Sequence, residues 1–342
     1  MAKAGDLIPA REAESQQQIS ALLSWERLAT RAYSDNTRRA WRADWKLFLS
    51  FCQQCGATSL PADPLTVREY VLDRIRAGKK PATIRRYLAT VTRAHQAIEV
   101  IDPCESEPVR LALQEMKLTT TARQKQARAF GRQEIAEFLK SAGEGLPADR
   151  ARAILCVAYD TMARRSELVA LDVADISIAL DGSGSALIRC SKTDQQGEGA
   201  SSYLSKETIH FLKIWLEGAG IVEGALFRRL WGTTQVGERL GASAIASLYK
   251  SVARWVGWSA RHVNEVSGHS IRVGATQDLL SLNIDLASVM QAGRWKSTAM
   301  PMRYGENIIA ARGGMARAAQ IQGRNTADSA SNPELEASAN QE

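Results

Sequence analysis

Apolar residues recur at spacings of three and four along the stretch SDNTRRAWRADWKLFLSFCQQCG, residues 34–56. This spacing places them on one face of an α-helix, because the helix completes a turn about every 3.6 residues. The predicted stripe consists of Trp41, Trp45, Phe48, Phe51, Cys52 and Cys55. The basic residues lie largely off this stripe, so the pattern predicts an amphipathic helix with a cationic outer face.

Two more helices are predicted after the first. Asp63 followed by Pro64 is a typical helix start, and Gly78 ends the apolar period that follows. The stretch at 81–100, PATIRRYLATVTRAHQAIEV, again aligns apolar residues on one face. Because the connections are short, residues 21–117 are predicted to form a compact helical domain.

The second half of the chain has a different pattern. A basic linker is predicted at 118–129 and a second domain at 130–320, while polar tails at 1–20 and 321–342 are predicted to be disordered. The stretch at 176–205 predicts two or three short strands, with a turn at 181–184 and a loop at 191–200. Helical patterns cover 132–142, 149–171, 205–217, 242–258, 270–282, 285–293 and the residues from 297. The predicted class is mainly α with one small antiparallel β-sheet.

Charge is distributed unevenly over the 342 residues. The net charge is +7, and residues 27–132 carry 20 Lys and Arg against 10 Asp and Glu. A basic block of domain size favours a polyanionic partner such as nucleic acid, although many basic domains are merely solvated. The candidate contacts are Arg38, Arg39, Arg42, Lys79, Lys80, Arg85, Arg86, Arg123 and Lys125.

Cysteine usage and the missing motifs exclude several classes of protein. Five cysteines, an odd number, favour a reducing compartment over a disulfide framework. Cys52 and Cys55 form a CxxC pair that we interpret as helix packing rather than a zinc or redox site. The apolar runs are far shorter than the roughly 18 residues of a membrane span. GxxxxGKS/T and GxGxxG motifs are missing, which speaks against nucleotide-dependent chemistry.

Two pairs of residues in the second domain are candidates for an anion site. Arg164 and Glu167 interrupt the apolar run in YDTMARRSELVALDV, where a structural ion pair is the better explanation of these two residues taken alone. His269 and Arg272 lie at a predicted helix start in SGHSIRVGA, where free N–H groups favour anions. A satisfied local hydrogen bond would explain that histidine as well.

Three further residues have ordinary explanations when each is taken singly. Lys192 fits a surface lysine, and Trp295 and Tyr304 fit core aromatics. Considered with the two arginines and the histidine, they supply what phosphoryl transfer needs. Those requirements are a nucleophile, cationic donors for the non-bridging oxygens and an acid for the leaving oxygen.

The order of these residues resembles that of the tyrosine site-specific recombinases of the phage integrase family. The family's GxRxSEL box is similar to MARRSELVAL, its HxxR box to SGHSIRVGA, and its last box to GRWKSTAMPMRY. Its β-hairpin lysine is similar to that in RCSKTDQ. The resemblance covers roughly residues 25–320. The matching residues are Arg164, Glu167, Lys192, His269, Arg272, Trp295 and Tyr304.

The resemblance implies a mechanism for these seven residues, without cofactor, metal or ATP. Tyr304 would attack a DNA phosphate, with His269 as base and Lys192 as the acid for the leaving 5′-oxygen. The donors to the phosphate would be Arg164, Arg272 and Trp295, with Glu167 orienting the basic groups.

The resemblance also implies partners and a location. The protein would clamp double-stranded DNA between its two domains and form a homotetramer on paired recombination sites, in the cytoplasm of a prokaryotic or phage system and away from membranes. The segment 307–320 would dock on a neighbouring subunit through Ile308, Ile309 and Met315. A type IB topoisomerase-like relaxase and a non-catalytic DNA-binding protein are the alternatives.

Overall fold

The computed structural model describes residues 30, 32–119, 125–189 and 199–325, which belong to two compact units. The first unit ends at Gln124 and the second begins at Lys125. The predicted tail at 1–20, most of the tail at 321–342 and the middle of the predicted linker lie outside the described residues.

Four α-helices make up most of the first unit between residues 32 and 119. They are α1 (Asp35–Gln54), α2 (Pro64–Arg76), α3 (Pro81–Ala97) and α4 (Glu107–Thr119). The predicted start of α2 is confirmed, because the Asp63 side chain accepts a hydrogen bond from the Leu65 N–H at 2.8 Å. The helix ends two residues before Gly78, whose φ of 67° favours glycine.

The apolar stripe of α1 forms part of the core of the first unit. Phe48, Phe51 and Cys52 are buried against α2 and α3. The Tyr70 ring of α2 contacts the rings of both phenylalanines. The prediction was wrong for Cys55, which is exposed, because α1 ends just before it and the chain turns away from the helical face.

The second unit is mainly helical, as predicted. Its helices are α5 (Arg132–Ser141), α6 (Leu146–Thr161), α7 (Arg165–Ala170), α8 (Lys206–Gly218), α9 (Ala242–Trp255), α10 (Ala260–Glu265), α11 (Ser270–Ser281), α12 (Leu286–Gly293), α13 (Ala299–Tyr304), α14 (Glu306–Ala310) and α15 (Gly314–Ile321). None of the helices in the described part of the chain is long and apolar enough to cross a membrane. The largest buried side chain is Trp215 of α8, whose indole N–H donates to the Leu226 carbonyl at 2.9 Å.

A three-stranded antiparallel sheet packs on these helices, which confirms the predicted class. Its strands are β1 (Ile176–Ile178), β2 (Gly184–Ile188) and β3 (Ala200–Leu204), in the order β1-β2-β3. A second antiparallel pair, β4 (Arg228–Trp231) and β5 (Gln235–Arg239), was not predicted. Its sequences RRLW and QVGER contain too few alternating apolar residues to signal a strand.

The single helix predicted at 149–171 is wrong, because the structure breaks it into α6 and α7. Met162 adopts a left-handed conformation with φ of 48°, and Ala163 and Arg164 carry the chain into α7. The apolar pattern hides this break because Met162 and Ala163 are buried like the helical residues around them. The break leaves the carbonyls of Thr161 and Met162 at the end of α6 without helical partners, and the guanidinium groups of Arg294 and Arg272 donate to them.

The docking segment 307–320, part of the helical pattern predicted from residue 297, is also divided. It forms α14 and α15, with a turn at residues 311–313. Ile308 and Ile309 are partly buried, whereas Met315 is 76% exposed.

Candidate active site

The break between α6 and α7 places Arg164 and Glu167 against each other. The Arg164 backbone N–H donates to Glu167 Oε2 at 3.0 Å and its guanidinium Nη1 donates to Oε1 at 2.6 Å. Glu167 therefore caps the first turn of α7 and pairs with the arginine that precedes the helix. The structural ion pair considered from the sequence is present, and it holds the Arg164 side chain in a fixed position.

A second arginine, Arg294, binds the same carboxylate and was missed in the sequence. Its Nη2 donates to Glu167 Oε2 at 2.9 Å, and its Nη1 donates to the Thr161 carbonyl and to Ser202 Oγ, both at 2.8 Å. Arg294 follows α12 in a left-handed conformation with φ of 54°, which turns its side chain inward. It ties the end of α6, the sheet and α7 together.

The paired arginines control the ionisation of Glu167. Burial alone would raise the pKa of this carboxyl, but the hydrogen bonds from Arg164 and the charges of Arg164 and Arg294 outweigh burial and lower it. A lowered pKa means that the ionised form stabilises the fold at neutral pH. This stabilisation is complete above the ordinary value of 4.5 and is lost as the pH falls through the folded-state pKa.

We therefore expect Glu167→Gln to lower the free energy of unfolding by about 3 kcal/mol at pH 7, because it removes one member of a buried ion cluster. The difference in the free energy of unfolding between this variant and the unaltered protein should shrink as the pH falls below 4.5, the ordinary pKa of glutamate. Urea unfolding at a series of pH values measures it. A difference that stays constant with pH would show that the ionised carboxylate contributes nothing.

Arg272 lies in the first turn of α11 and is only 3% exposed. Its guanidinium donates to the carbonyls of Met162 and Gly293, and its Cζ lies 4.4 Å from the centroid of the Trp295 ring. Burial, together with the charges of Arg164 and Arg294, lowers the pKa of this guanidinium to about 10. The three arginines therefore lie close enough to repel one another.

His269 lies immediately before α11, accessible at the surface but with protein atoms packed around its imidazole. Its backbone N–H donates to Ser267 Oγ at 3.2 Å, so the predicted local hydrogen bond exists on the backbone. Desolvation lowers the pKa of the imidazole below its usual value, and the charges of Arg272, Arg165 and Arg164 lower it further. A lowered pKa keeps the ring neutral at pH 7, the form that can accept a proton.

The two aromatic candidates contact each other. The Trp295 and Tyr304 rings meet edge to face with centroids 6.0 Å apart. Burial raises the pKa of the Tyr304 phenol above its ordinary value of 10. The charges of Arg272, Arg303 and Arg164 oppose this shift. The phenol is therefore protonated at neutral pH and needs a base before it can act as a nucleophile.

Gly293 allows the close approach of Trp295. A Cβ added to this glycine would overlap the indole ring, whereas one added to Gly314 would meet nothing within 4 Å.

We expect Gly293→Ala to lower the free energy of unfolding by about 1–3 kcal/mol, because the Trp295 ring and the Arg272 side chain stacked on it must move. Thermal unfolding of Gly293→Ala measures this loss of stability, with Gly314→Ala as the matched control. Equal stability of the two variants would contradict the packing described.

Six of the seven predicted residues, Glu167 and five others, therefore lie in one cluster in the second unit. The structure brings Arg164, His269, Arg272, Trp295 and Tyr304 together by the contacts and charge interactions above. Lys192 lies outside the described residues, so its place at this site stays a prediction. Arg165, next to Arg164, is exposed, and its side chain packs against Gly268. Three guanidinium groups around one carboxylate leave an excess of positive charge, which an anion would offset.

The candidate polyanion contacts have different surroundings. Exposed side chains belong to Arg39, Arg42, Lys79, Lys80 and Arg85. Arg38 pairs with Asp35, and Arg86 lies 3.0 Å from the buried carboxylate of Asp44. Lys125 donates to Glu265 at 2.7 Å, and Arg123 lies outside the described residues. Arg38, Arg86 and Lys125 thus already have carboxylate partners within the protein.

Two regions of the chain match the sequence profiles of known families. Residues 129–308 match the profile of the phage integrase family, and residues 25–99 match that of the phage integrase N-terminal SAM-like domain. The first match covers more than half of the chain.

Two curated proteins are similar to nearly the whole chain. Recombinase cre of Escherichia phage P1 is 26% identical over 309 residues, which cover 84% of this chain and 88% of that protein. The integrase/recombinase xerD homolog of Selenomonas ruminantium is 28% identical over 316 residues, with coverages of 87% and 89%.

Solved structures share the fold. A lambda integrase tetramer bound to a Holliday junction matches with a TM-score of 0.57 at 16% identity, covering 84% of this chain and 76% of that one.

Proposed function

Because the chain belongs to the phage integrase family and is a tyrosine site-specific recombinase, we propose that it cleaves and rejoins DNA through a covalent bond to Tyr304. One observation carries this proposal. The Tyr304 phenol lies beside Trp295, in the field of Arg164 and Arg272. A phosphodiester in contact with these groups would meet a nucleophile and several cationic donors at once.

The proposed reaction exchanges one phosphodiester for another. The phenolic oxygen of Tyr304 attacks the scissile phosphorus and loses its proton, which His269 accepts in its neutral form. The bond from phosphorus to the 5′-oxygen breaks, leaving a 3′-phosphotyrosyl link and an oxygen that takes a proton to become a free 5′-hydroxyl. Lys192 is the proposed donor of that proton. Because the phosphotyrosine keeps the energy of the broken bond, rejoining requires no nucleotide hydrolysis.

The proposed role of the arginines is to stabilise charge as it builds on the phosphate. Arg164 and Arg272 each present a planar fork of N–H donors, which suits two oxygens of a phosphate better than an ammonium would. The Trp295 indole N–H adds a donor. The contacts with Glu167, Met162 and Gly293 fix these side chains before DNA arrives, so little reorganisation is needed during the reaction.

We further propose that the partner is double-stranded DNA carrying paired recombination sites, in a prokaryotic or phage-infected cell. Reciprocal exchange between two duplexes breaks four strands, and each subunit offers one Tyr304, so four subunits are needed.

The proposed contact between subunits is the segment 307–320, where Met315 is exposed. The exposed basic residues of the first unit are proposed to hold the DNA backbone.

Capture of the covalent adduct tests this function. The protein is incubated with duplexes from a random-sequence pool, and the DNA that remains attached after denaturation is sequenced. We expect the bound DNA to converge on one site, and a plasmid with two copies of that site to recombine while a plasmid with scrambled copies does not. Relaxation of plasmids of any sequence would instead indicate a topoisomerase-like enzyme. Specific binding without an adduct would indicate a non-catalytic DNA-binding protein.

A further inference from the structure

The backbone carbonyl of Tyr304 accepts hydrogen bonds from two glutamine side chains. Gln277 Nε2 donates to it at 2.9 Å, and Gln126 Nε2 donates to it at 3.4 Å. These residues are 27 and 178 positions away along the chain. Neither glutamine was singled out in the sequence, where nothing distinguishes them from other polar residues.

The position of Tyr304 explains why its carbonyl is available. It is the last residue of α13, and α14 begins two residues later, after Gly305. The last carbonyls of a helix have no partner within that helix, so they need donors from elsewhere. A carbonyl oxygen has two lone pairs and can accept both amides. The two glutamines therefore hold the peptide group that is bonded directly to the Cα of Tyr304.

Gln277 connects this peptide group to the remaining candidate catalytic side chains. It lies on α11, the helix that carries Arg272 in its first turn and follows directly on His269. A rigid helix keeps the distance between its residues constant. The hydrogen bond from Gln277 therefore fixes the backbone of the proposed nucleophile relative to the proposed base and one phosphate-binding arginine.

Gln126 connects the peptide group to the segment 125–130, which begins the second unit. This segment is itself anchored: the Arg128 N–H donates to the Glu265 carbonyl at 3.1 Å and the Phe130 N–H to the Ser270 carbonyl at 3.0 Å. At Gly274 of α11, an added Cβ would overlap the Phe130 backbone, so the segment lies directly on the helix. The backbone that carries Gln126 is therefore fixed on α11, and so is the hydrogen bond that Gln126 donates to the Tyr304 carbonyl.

We infer that Gln126 and Gln277 are positioning residues, which set the reach of the Tyr304 phenol by holding its backbone carbonyl. The inference rests on the proposed role of Tyr304 as nucleophile. A displacement of about 1 Å at a reacting group costs roughly 10²-fold in rate. A small movement of this peptide group would therefore be sufficient to slow the attack of the Tyr304 phenol on phosphorus. Neither glutamine touches DNA in this role. Their loss acts on the cleavage rate and leaves DNA affinity unchanged.

The test removes the donors and keeps the shape of the side chains. The variants are Gln126→Met, Gln277→Met and their combination, with Gln133→Met on the exposed face of α5 as the matched control. The substrate is the duplex recovered by adduct capture, nicked a few nucleotides 3′ of the scissile phosphate so that the released fragment diffuses away. At saturating DNA we expect each single variant to cleave about 10-fold more slowly and the double variant about 10²-fold more slowly. DNA affinity should stay within about twofold of the unaltered protein.

A pH profile separates positioning from a general structural role. Gln277→Glu introduces a carboxyl that donates to the Tyr304 carbonyl when protonated and repels it when ionised. The ratio of its cleavage rate to that of the unaltered protein should therefore rise as the pH falls. A flat ratio, or a double variant that cleaves as fast as the unaltered protein, would overturn the inference. If the unaltered protein forms no adduct at all, the proposed function itself fails.

Discussion

Tyr304→Phe should abolish covalent attachment of the protein to DNA while changing its DNA affinity by no more than about twofold. The substitution keeps the ring that meets Trp295 edge to face and removes only the oxygen that would attack phosphorus. Affinity depends mainly on contacts between basic side chains and backbone phosphates, none of which is lost. The adduct is measured on the nicked duplex by its reduced mobility in a denaturing gel, and the affinity by titration of the intact duplex.

Tyr203→Phe is the matched control, since Tyr203 lies on β3 and is 63% exposed. That variant should form the adduct at the normal rate. An adduct formed by Tyr304→Phe would transfer the role of nucleophile to another residue and remove the basis of the proposed mechanism.

Arg272→Ala should lower the cleavage rate at saturating DNA at least 10²-fold, the effect of losing one preorganised donor to developing charge. This corresponds to about 2.7 kcal/mol of transition-state stabilisation. Arg272 is anchored by the carbonyls of Met162 and Gly293 and stacked on Trp295, so its donors are held in place before the reaction begins. Single-turnover cleavage of the nicked duplex measures the loss.

Arg272→Lys separates this chemical role from folding. The lysine keeps the charge but lacks the planar fork, so we expect a similar loss of cleavage with a smaller loss of thermal stability. Arg254→Ala, at the exposed end of α9, serves as the control for removing a positive charge. Cleavage by Arg272→Lys at a near-normal rate would mean that charge alone, without the fork, is sufficient at this position.

The sequence was sufficient to predict the class and the family of this protein, and both are confirmed. The residue types of the candidate site were also visible, because tyrosine, histidine and arginine at these spacings have a chemical meaning together. Their convergence in the fold could not be derived from spacing. It depends on Met162 leaving the helical conformation, and the buried residues around that position give the same apolar signal as a continuous helix.

Arg294 illustrates what a sequence pattern cannot show. It stands between Gly293 and Trp295 and looks like one more surface arginine, yet it binds Glu167 and the end of α6. Its inward direction follows from a left-handed backbone that is uncommon for a residue with a side chain. Gln126 and Gln277 were missed for a similar reason, since their partner is a backbone carbonyl that carries no side-chain signature.

The break between α6 and α7 sets a strict limit on insertions and deletions. One residue added between Met162 and Arg164 would lengthen this short connection by up to about 3.5 Å and shift the start of α7. Glu167 would then lose its hydrogen bond from Arg294, which is held separately at the end of α12. Chimeras that exchange this part of the chain with a relative must therefore match its length residue for residue, even where the side chains themselves can differ.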